Sequence, residues 1–352
     1  MTCKPGDGMT ALVTGGGGYI GSHMVRCLTE LGREVVVVDD LSGGHRDAVP
    51  ASVPFYVANI ADGERMKRIL REHRVEAVFH FASRIQVGES VVNPRLYYDN
   101  NLAASITLAG AALDSGVRSF ILSSTAAVYG TPTAVPIVED ASTSPINPYG
   151  ETKLAIERML AAYSRAYGLS FAALRYFNAA GAYPEAGLGE RHAGESHLIP
   201  IVLAAALGQR RDVTVFGRDY PTPDGTCVRD YVHVRDLAEA HLAALDHLER
   251  GGASGAWNLG TGTGYSVGEV IDVCRAITGR EIRVVDAPRR AGDPPSLVAS
   301  ARRAELTLGW KARFSSLERI ISDAWSFHRA RLDSESNHAP LARQPKEIAH
   351  AR

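Results

Sequence analysis

Short apolar, β-branched runs alternate with longer amphipathic stretches through the first half of the chain. This is the pattern of a parallel sheet with helices on both faces, because parallel strands need crossovers long enough to hold a helix. Ala11–Gly21 reads as a buried strand that runs into a glycine turn and then a helix. Val35–Val38 form the next apolar run, and further strands are expected at Phe55–Ala58, Ala77–Ala82, Ser119–Ser123 and Phe171–Tyr176. The periodicity between them predicts helices over Gly63–His73, Pro94–Gly116 and Tyr149–Tyr167. Past Asn178 the alternation loosens into a loop rich in glycine, proline and charge, Ala180–His197, and then a short apolar helix, Leu198–Leu207. Val228–Val232 and Trp257–Gly260 read as strands returning to the first half. The fold class is therefore α/β, a Rossmann-type doubly wound parallel sheet with a smaller, interleaved C-terminal domain. Residues 9–180, with returning segments near 228–260, make the first domain; 181–227 and 261–330 make the second. The tail, 333–352, is polar and aperiodic and is expected to be disordered.

In such a sheet ligands bind beyond the carboxyl ends of the strands. Gly15, Gly18 and Gly21 follow the spacing G-x-x-G-x-x-G. A main chain without side chains approaches a ligand closely there, where a helix N-terminus presents free N–H groups, which is a seat for a pyrophosphate. The strand that follows ends in Asp39, near the distance at which a carboxylate receives the adenosine ribose hydroxyls of a dinucleotide. A carboxylate there repels a 2′-phosphate, so NAD is favoured over NADP; Asp40 strengthens the negative field and His45 and Arg46 oppose it.

Tyr149 and Lys153 stand four residues apart in a helical stretch and so project from one face. A phenol with a pKa of about 10 is a poor base at neutral pH, but a neighbouring ammonium favours the phenolate and makes Tyr149 a candidate general base. Ser123-Ser-Thr125 closes a strand upstream, where Thr125 can hydrogen-bond a substrate hydroxyl while Tyr149 removes its proton.

Composition narrows the partners. The chain has 352 residues, 45% hydrophobic and 22% charged, and a formal net charge of −1. With no basic stripe, nucleic acid is not an expected partner and a membrane surface has little to attract. Met1–Met9 is polar and lacks the apolar core of a signal peptide, which favours the cytoplasm. Cys3, Cys27, Cys227 and Cys274 are scattered, and neither a Cys pair nor histidine clustering at zinc spacing is evident, so no metal site is expected. His73, His241 and His247 are read as lying on solvated helix faces and His233 as making a structural hydrogen bond.

A set of motifs reaches from Ala11 to about Phe327: Thr14-Gly-Gly-Gly-Gly-Tyr-Ile-Gly-Ser-His23, His80-Phe-Ala82, Val87-Gly-Glu-Ser90, Tyr97-Tyr-Asp-Asn100, Ser123–Gly130, Pro148-Tyr-Gly150 with Lys153, Arg175-Tyr-Phe-Asn178, Asp219-Tyr-Pro-Thr222 and Val228-Arg-Asp-Tyr231. On these the chain resembles the extended short-chain dehydrogenase/reductase family, in particular its UDP-sugar 4-epimerases. The resemblance implies a tightly held NAD that oxidises C4 of a UDP-sugar, a 4-keto intermediate that turns over in the pocket, and hydride return to its other face. It assigns NAD contacts to Gly15, Gly18, Tyr19, Ile20, Gly21, Asp39, Asp40, Leu41, Ser42, Gly43, Gly44, Asn59, Ile60, Phe81, Ala82, Ser83, Asn100, Ser123, Tyr149, Lys153 and Phe177. The UDP-sugar is assigned to Thr125, Tyr149, Asn178, Leu198, Phe216, Arg229, Arg290, Asp293 and Leu297. Two arginines suit a diphosphate and Asp293 a ribose hydroxyl. A homodimer through the Pro94–Gly116 and Tyr149–Tyr167 helices is also implied.

Some positions depart from the family pattern. Asn59 stands where an aspartate is usual, and Arg84 precedes Ile85, the position at which some relatives carry a phosphate-binding lysine. His197 replaces an asparagine found in some members. Leu297, of intermediate bulk, holds the position linked to acceptance of an N-acetyl group. UDP-glucose and UDP-galactose are the favoured pair; UDP-N-acetylglucosamine, UDP-pentose and UDP-uronate epimerases are the alternatives. Ala126 and Ala127 after Thr125 argue against a 4,6-dehydratase, which needs acids there. A catalytically silent NAD-binding sensor is the reading from another class, and retention of Thr125, Tyr149 and Lys153 speaks against it.

Overall fold

The computed structural model describes residues 9–290 and 293–338 and centres on a seven-stranded sheet whose neighbours all pair in parallel. Six strands come from the first half: β1 (Thr10–Thr14), β2 (Glu34–Asp39), β3 (Phe55–Val57), β4 (Val75–His80), β5 (Ser119–Thr125) and β6 (Ser170–Tyr176). The seventh, Gly255–Leu259, returns late in the chain to pair with β6. Reading across, the order is β3-β2-β1-β4-β5-β6 and then Gly255–Leu259, so the direction of winding reverses between β1 and β4. That switch point opens a crevice at the carboxyl edge.

The strands are apolar on both faces because both are covered. Val13, Phe79 and Ile121 face one side, with Leu28 of α1 (Tyr19–Glu30) and Leu237 of the Val234–Glu249 helix in the same core. The alternate residues Leu12, Val78 and Phe120 face the other, against Leu70 of α2 (Gly63–Glu72), Leu108 and Leu160. A third core lies outside the sheet. There the helices Leu198–Ala206, Val267–Thr278 and Leu317–His338 share a core with the paired strands Val213–Phe216 and Val284–Ala287.

The structure corrects several expectations. The expected Pro94–Gly116 helix is divided into Pro94–Tyr97, a π-helical segment Tyr98–Ala103, and Ala104–Asp114. Within the widened segment Asn101 turns inward, accepting from the Arg84 N–H at 2.8 Å and donating to its carbonyl at 3.0 Å. The expected Val228–Val232 strand is split into Val228–Arg229 and Tyr231–His233. Between them the buried Asp230 carboxylate receives the N–H groups of Thr261, Gly262 and Ala299. His241 is fully buried, not solvated, and packs between Phe81 and Tyr176 with its Nδ1 on the Leu237 carbonyl. Its alternation on the helix is that of a core position. The last helix reaches His338, so the start of the 333–352 tail is helical and its remainder, like Cys3, lies outside the described residues. Cys27, Cys227 and Cys274 are free. Among the described residues no helix is long and apolar enough to cross a membrane.

Beneath the crevice, Arg175 of β6 and Glu157 of the Pro148–Tyr167 helix form a buried bidentate pair at 2.6 and 3.0 Å. Ser124 of β5 donates to the same carboxylate, and Arg175 also donates to the Tyr129 hydroxyl at 2.9 Å. Removing one partner leaves the other charged and buried. Glu157→Ala should therefore lower the free energy of unfolding by ~3–5 kcal/mol, measured by urea denaturation. A loss within error of zero would show that Arg175 finds solvent in its place.

Candidate active site

The glycine turn is shaped by what surrounds it. Gly15 has φ +71°, and a Cβ there would come within 2.6 Å of the Ala82 amide nitrogen, so no side chain fits between β1 and the loop after β4. The first turn of α1 follows Gly18 and carries neither a side-chain cap nor an acidic residue. Its N–H groups are thus left for an anion. Asp39, at the end of β2, accepts from the Gly17 N–H at 2.9 Å and the Leu41 N–H at 2.8 Å. Burial raises its pKa, and the bonds from Leu41 and Gly17 act against that rise. One carboxylate both fixes the turn and faces the crevice.

A cavity of about 620 Å³ runs from this turn to Leu297. Nearly all the residues proposed from the sequence line it. The exceptions are Leu41, Leu198, Phe216, Arg229 and Arg290, which do not. Arg290 lies over the Phe216 ring at 3.9 Å, and Arg229 is held by Asp293 at 2.5 Å and by the Pro294 carbonyl at 3.0 Å. The uncapped helix, the closed glycine cradle and Asp39 together fit the pyrophosphate and ribose of NAD.

The Pro148–Tyr167 helix starts where its sequence predicts. Asn147 caps it by accepting from the Gly150 N–H at 2.9 Å, Pro148 occupies the first turn, and left-handed Gly168 ends it. Tyr149 and Lys153 both reach the cavity, and the Lys153 ammonium donates to the Ser123 carbonyl at 2.8 Å. Thr125 closes β5 beside them, its hydroxyl accepting from the Ala127 N–H at 3.1 Å. Burial raises the Tyr149 phenol above its ordinary value, and the Thr125 hydroxyl works against that shift. Burial also pushes Lys153 down to about 7, opposed by the charge of Glu157. His80, buried behind them, links Thr14 and Ser105 through its two ring nitrogens at 2.8 Å each, and burial lowers its pKa to about 3. It is a neutral tie between strands and helix.

Sequence reasoning missed one wall of the cavity. The loop before the Leu198–Ala206 helix carries Glu190, His192 and His197 to the lining. With Glu195 they form a group of nitrogen and oxygen atoms lying within 4.8 Å of one another, against the expectation of no clustered histidines. Burial opposes ionisation of both imidazoles, but the carboxylates outweigh it and raise His192 to about 9 and His197 to about 10. The signal was the spacing Glu190-x-His192-x-x-Glu195-x-His197, inside a segment read only as a polar loop. Arg84, Gln86 and Glu89 also line the cavity without having been assigned a contact.

Residues 11–260 match the "NAD dependent epimerase/dehydratase family". A UDP-glucose 4-epimerase of Halalkalibacterium halodurans is 52% identical over 321 residues, covering 91% of this chain and 96% of that protein. A crystal structure of UDP-glucose 4-epimerase from Brucella ovis in complex with NAD superposes with a TM-score of 0.88 at 45% identity, covering 90% of this chain and 97% of the other. The enzyme of Bifidobacterium longum in complex with NAD+ and UDP gives a TM-score of 0.86 at 38% identity, covering 92% and 99%.

The lysine makes a testable electrostatic signature. With its pKa lowered from 10.5 to about 7, Lys153 holds fewer protons in the folded than in the unfolded chain across that interval. Its unfavourable contribution is full below pH 7 and fades as the pH climbs toward 10.5, so stability rises with pH. Protein stripped of nucleotide should therefore gain stability relative to Lys153→Met when the pH is raised from about 7 to about 10. Thermal denaturation of the two proteins at several pH values measures this, and parallel curves would show that the amine titrates normally.

Proposed function

This chain belongs to the NAD-dependent epimerase/dehydratase family, and from that premise we propose that it interconverts UDP-glucose and UDP-galactose by oxidation and re-reduction at C4. The observation that carries the reading is the meeting of Tyr149, Lys153 and Thr125 in one cavity with the glycine turn and Asp39. NAD bound there supplies the acceptor, and then the donor, of the C4 hydride. Tyr149 takes the proton of the C4 hydroxyl as the hydride leaves, and gives it back when the carbonyl is reduced. Lys153, in its charged form, stabilises the phenolate. Thr125 holds the hydroxyl in line with the phenol. No electrons are gained or lost over the cycle.

In this reading residues 9–180 with 228–260 hold the cofactor, and 181–227 with 261–330 hold the UDP-sugar. Asn178, Asp293 and Leu297 already face the cavity. Leu198, Phe216, Arg229 and Arg290 stand back from it, and we assign them to the uridine diphosphate end. Freed from Asp293, Arg229 gains the bidentate reach that a diphosphate needs. A homodimer through the Pro94–Gly116 and Tyr149–Tyr167 segments is supported by exposed apolar side chains on them, with Tyr98 43%, Ile106 44% and Tyr167 66% exposed. We assign the protein to the cytoplasm and to galactose metabolism.

The test is an epimerisation assay without added cofactor, offering UDP-galactose and separately UDP-N-acetylgalactosamine, with products resolved by chromatography. Conversion of UDP-galactose is expected, and Tyr149→Phe should cut turnover by ~10²–10⁴-fold while UDP binding persists. Near-full activity in Tyr149→Phe would remove the phenol from its role. Conversion of the acetylated sugar alone would move the assignment to the other substrate class.

A further inference from the structure

The group Glu190, His192, Glu195 and His197 lies in the loop that walls the cavity. The Nδ1 of His197 is 2.7 Å from Glu190 Oε1 and 3.1 Å from Glu195 Oε1. The Nδ1 of His192 is 3.1 Å from Glu190 Oε1 and 3.5 Å from Glu195 Oε2. These are ion-pair distances, yet Glu190 Oε1 receives no hydrogen bond although only 5% of the side chain is exposed. A buried carboxylate oxygen without a donor is costly and rare. The two imidazole nitrogens crowd it, and neither completes a hydrogen bond to it.

Such crowding is what ligands of a small dication show, because lone pairs that share a metal point at the centre of the group and not at each other. Zinc bound at 2.0–2.1 Å in a tetrahedron sets its ligand atoms about 3.3–3.4 Å apart, a value bracketed by the spacings above, 2.7 to 3.5 Å, in a group whose ligand atoms all lie within 4.8 Å of one another. We propose that Glu190, His192, Glu195 and His197 form a binding site for one divalent transition-metal ion of the zinc type. Two imidazoles and two carboxylates suit such an ion rather than calcium or magnesium, which take oxygen ligands. The two carboxylates balance its charge, so the loaded site is neutral under the loop.

The position gives the ion a structural role. The loop is already tied across the crevice: His45 Nε2 meets the Arg191 carbonyl at 3.0 Å, and Arg191 forks onto Asp47 at 2.8 Å on both arms. Gln86 donates to the Gly194 carbonyl at 3.3 Å. Immediately after His197 begins the Leu198–Ala206 helix. An ion here staples the segment between these ties and that helix and fixes the wall of the cavity. It has no place in the hydride transfer.

The test uses the full chain without a histidine tag, equilibrated with zinc chloride and desalted, and with cobalt(II) as the spectroscopic probe. Elemental analysis should find about one zinc per chain, and cobalt should give the strong visible absorption of a four-coordinate nitrogen–oxygen site. His192→Gln and Glu195→Gln, each checked by circular dichroism for a native fold, should bind at least ~10-fold more weakly. Should one of them fail to fold, the other decides. Zinc should also raise the melting temperature of the parent protein and not of the variants. Substoichiometric metal after equilibration would overturn the proposal and leave an ion-paired loop. So would stoichiometric metal that both variants retain, since that would place the ion elsewhere on the surface.

Discussion

The geometry around the proposed base, Tyr149, depends on one buried ion pair. Tyr149, Lys153 and Glu157 occupy successive turns of a single helix, and Glu157 is clamped by the Arg175 guanidinium and by Ser124. Ser124 is the residue before Thr125, and Arg175 the residue before Tyr176, whose hydroxyl meets that of Ser123. Rotation or slippage of the helix would break a charge-assisted fork where water cannot replace it. A buried pair of this kind adds little net stability over a well-packed apolar pair. What it contributes is position: the phenol and ammonium are held against the end of β5 by the same bond that ties helix to sheet.

Burial that makes the geometry rigid also sets the chemistry at rest. It drives the Tyr149 phenol up and the Lys153 amine down to about 7, so both move toward their neutral forms. A neutral phenol beside a partly neutral amine is a weak base. Charge arriving in the cavity shifts this balance, because a negative pyrophosphate and ribose hydroxyls favour the ammonium, and the ammonium in turn favours the phenolate.

How much of this was legible in the sequence follows from the range of each interaction. The glycine turn, Asp39 and the Tyr149–Lys153 pair are local spacings, and the chain puts all of them on the cavity. The parallel order of the sheet follows from the alternation of strands and helices. What escaped depends on distant partners. The π segment exists because Asn101 serves the backbone of Arg84, and Glu157 looks like a surface glutamate until Arg175 is brought beside it. His241 sits at a helical position that reads as polar and is filled by two aromatic rings. The arginines set back from the cavity carry charge that the sequence could identify but could not place.

The polar loop completes the logic of a cofactor that is used and restored in the same cycle. A reaction with no net redox needs no exchange of the dinucleotide, so its site can be walled after loading. The wall here is a segment rich in ionisable groups, held to the first half of the chain by Asp47, His45 and Gln86 and continuous with the helix that begins at Leu198. Apolar packing would close it more cheaply, since the buried Glu190 carboxylate loses its hydration and its more exposed partners give up part of theirs. The polar wall gains orientation instead. Charges that must balance one another fix the backbone between them, and that backbone spans from the glycine turn, through Tyr19 bonded to the Gly181 carbonyl at 2.6 Å, to the first residue of the Leu198–Ala206 helix. The regions proposed for cofactor and sugar are thereby set on one frame, which is what hydride transfer to either face of the same carbon demands.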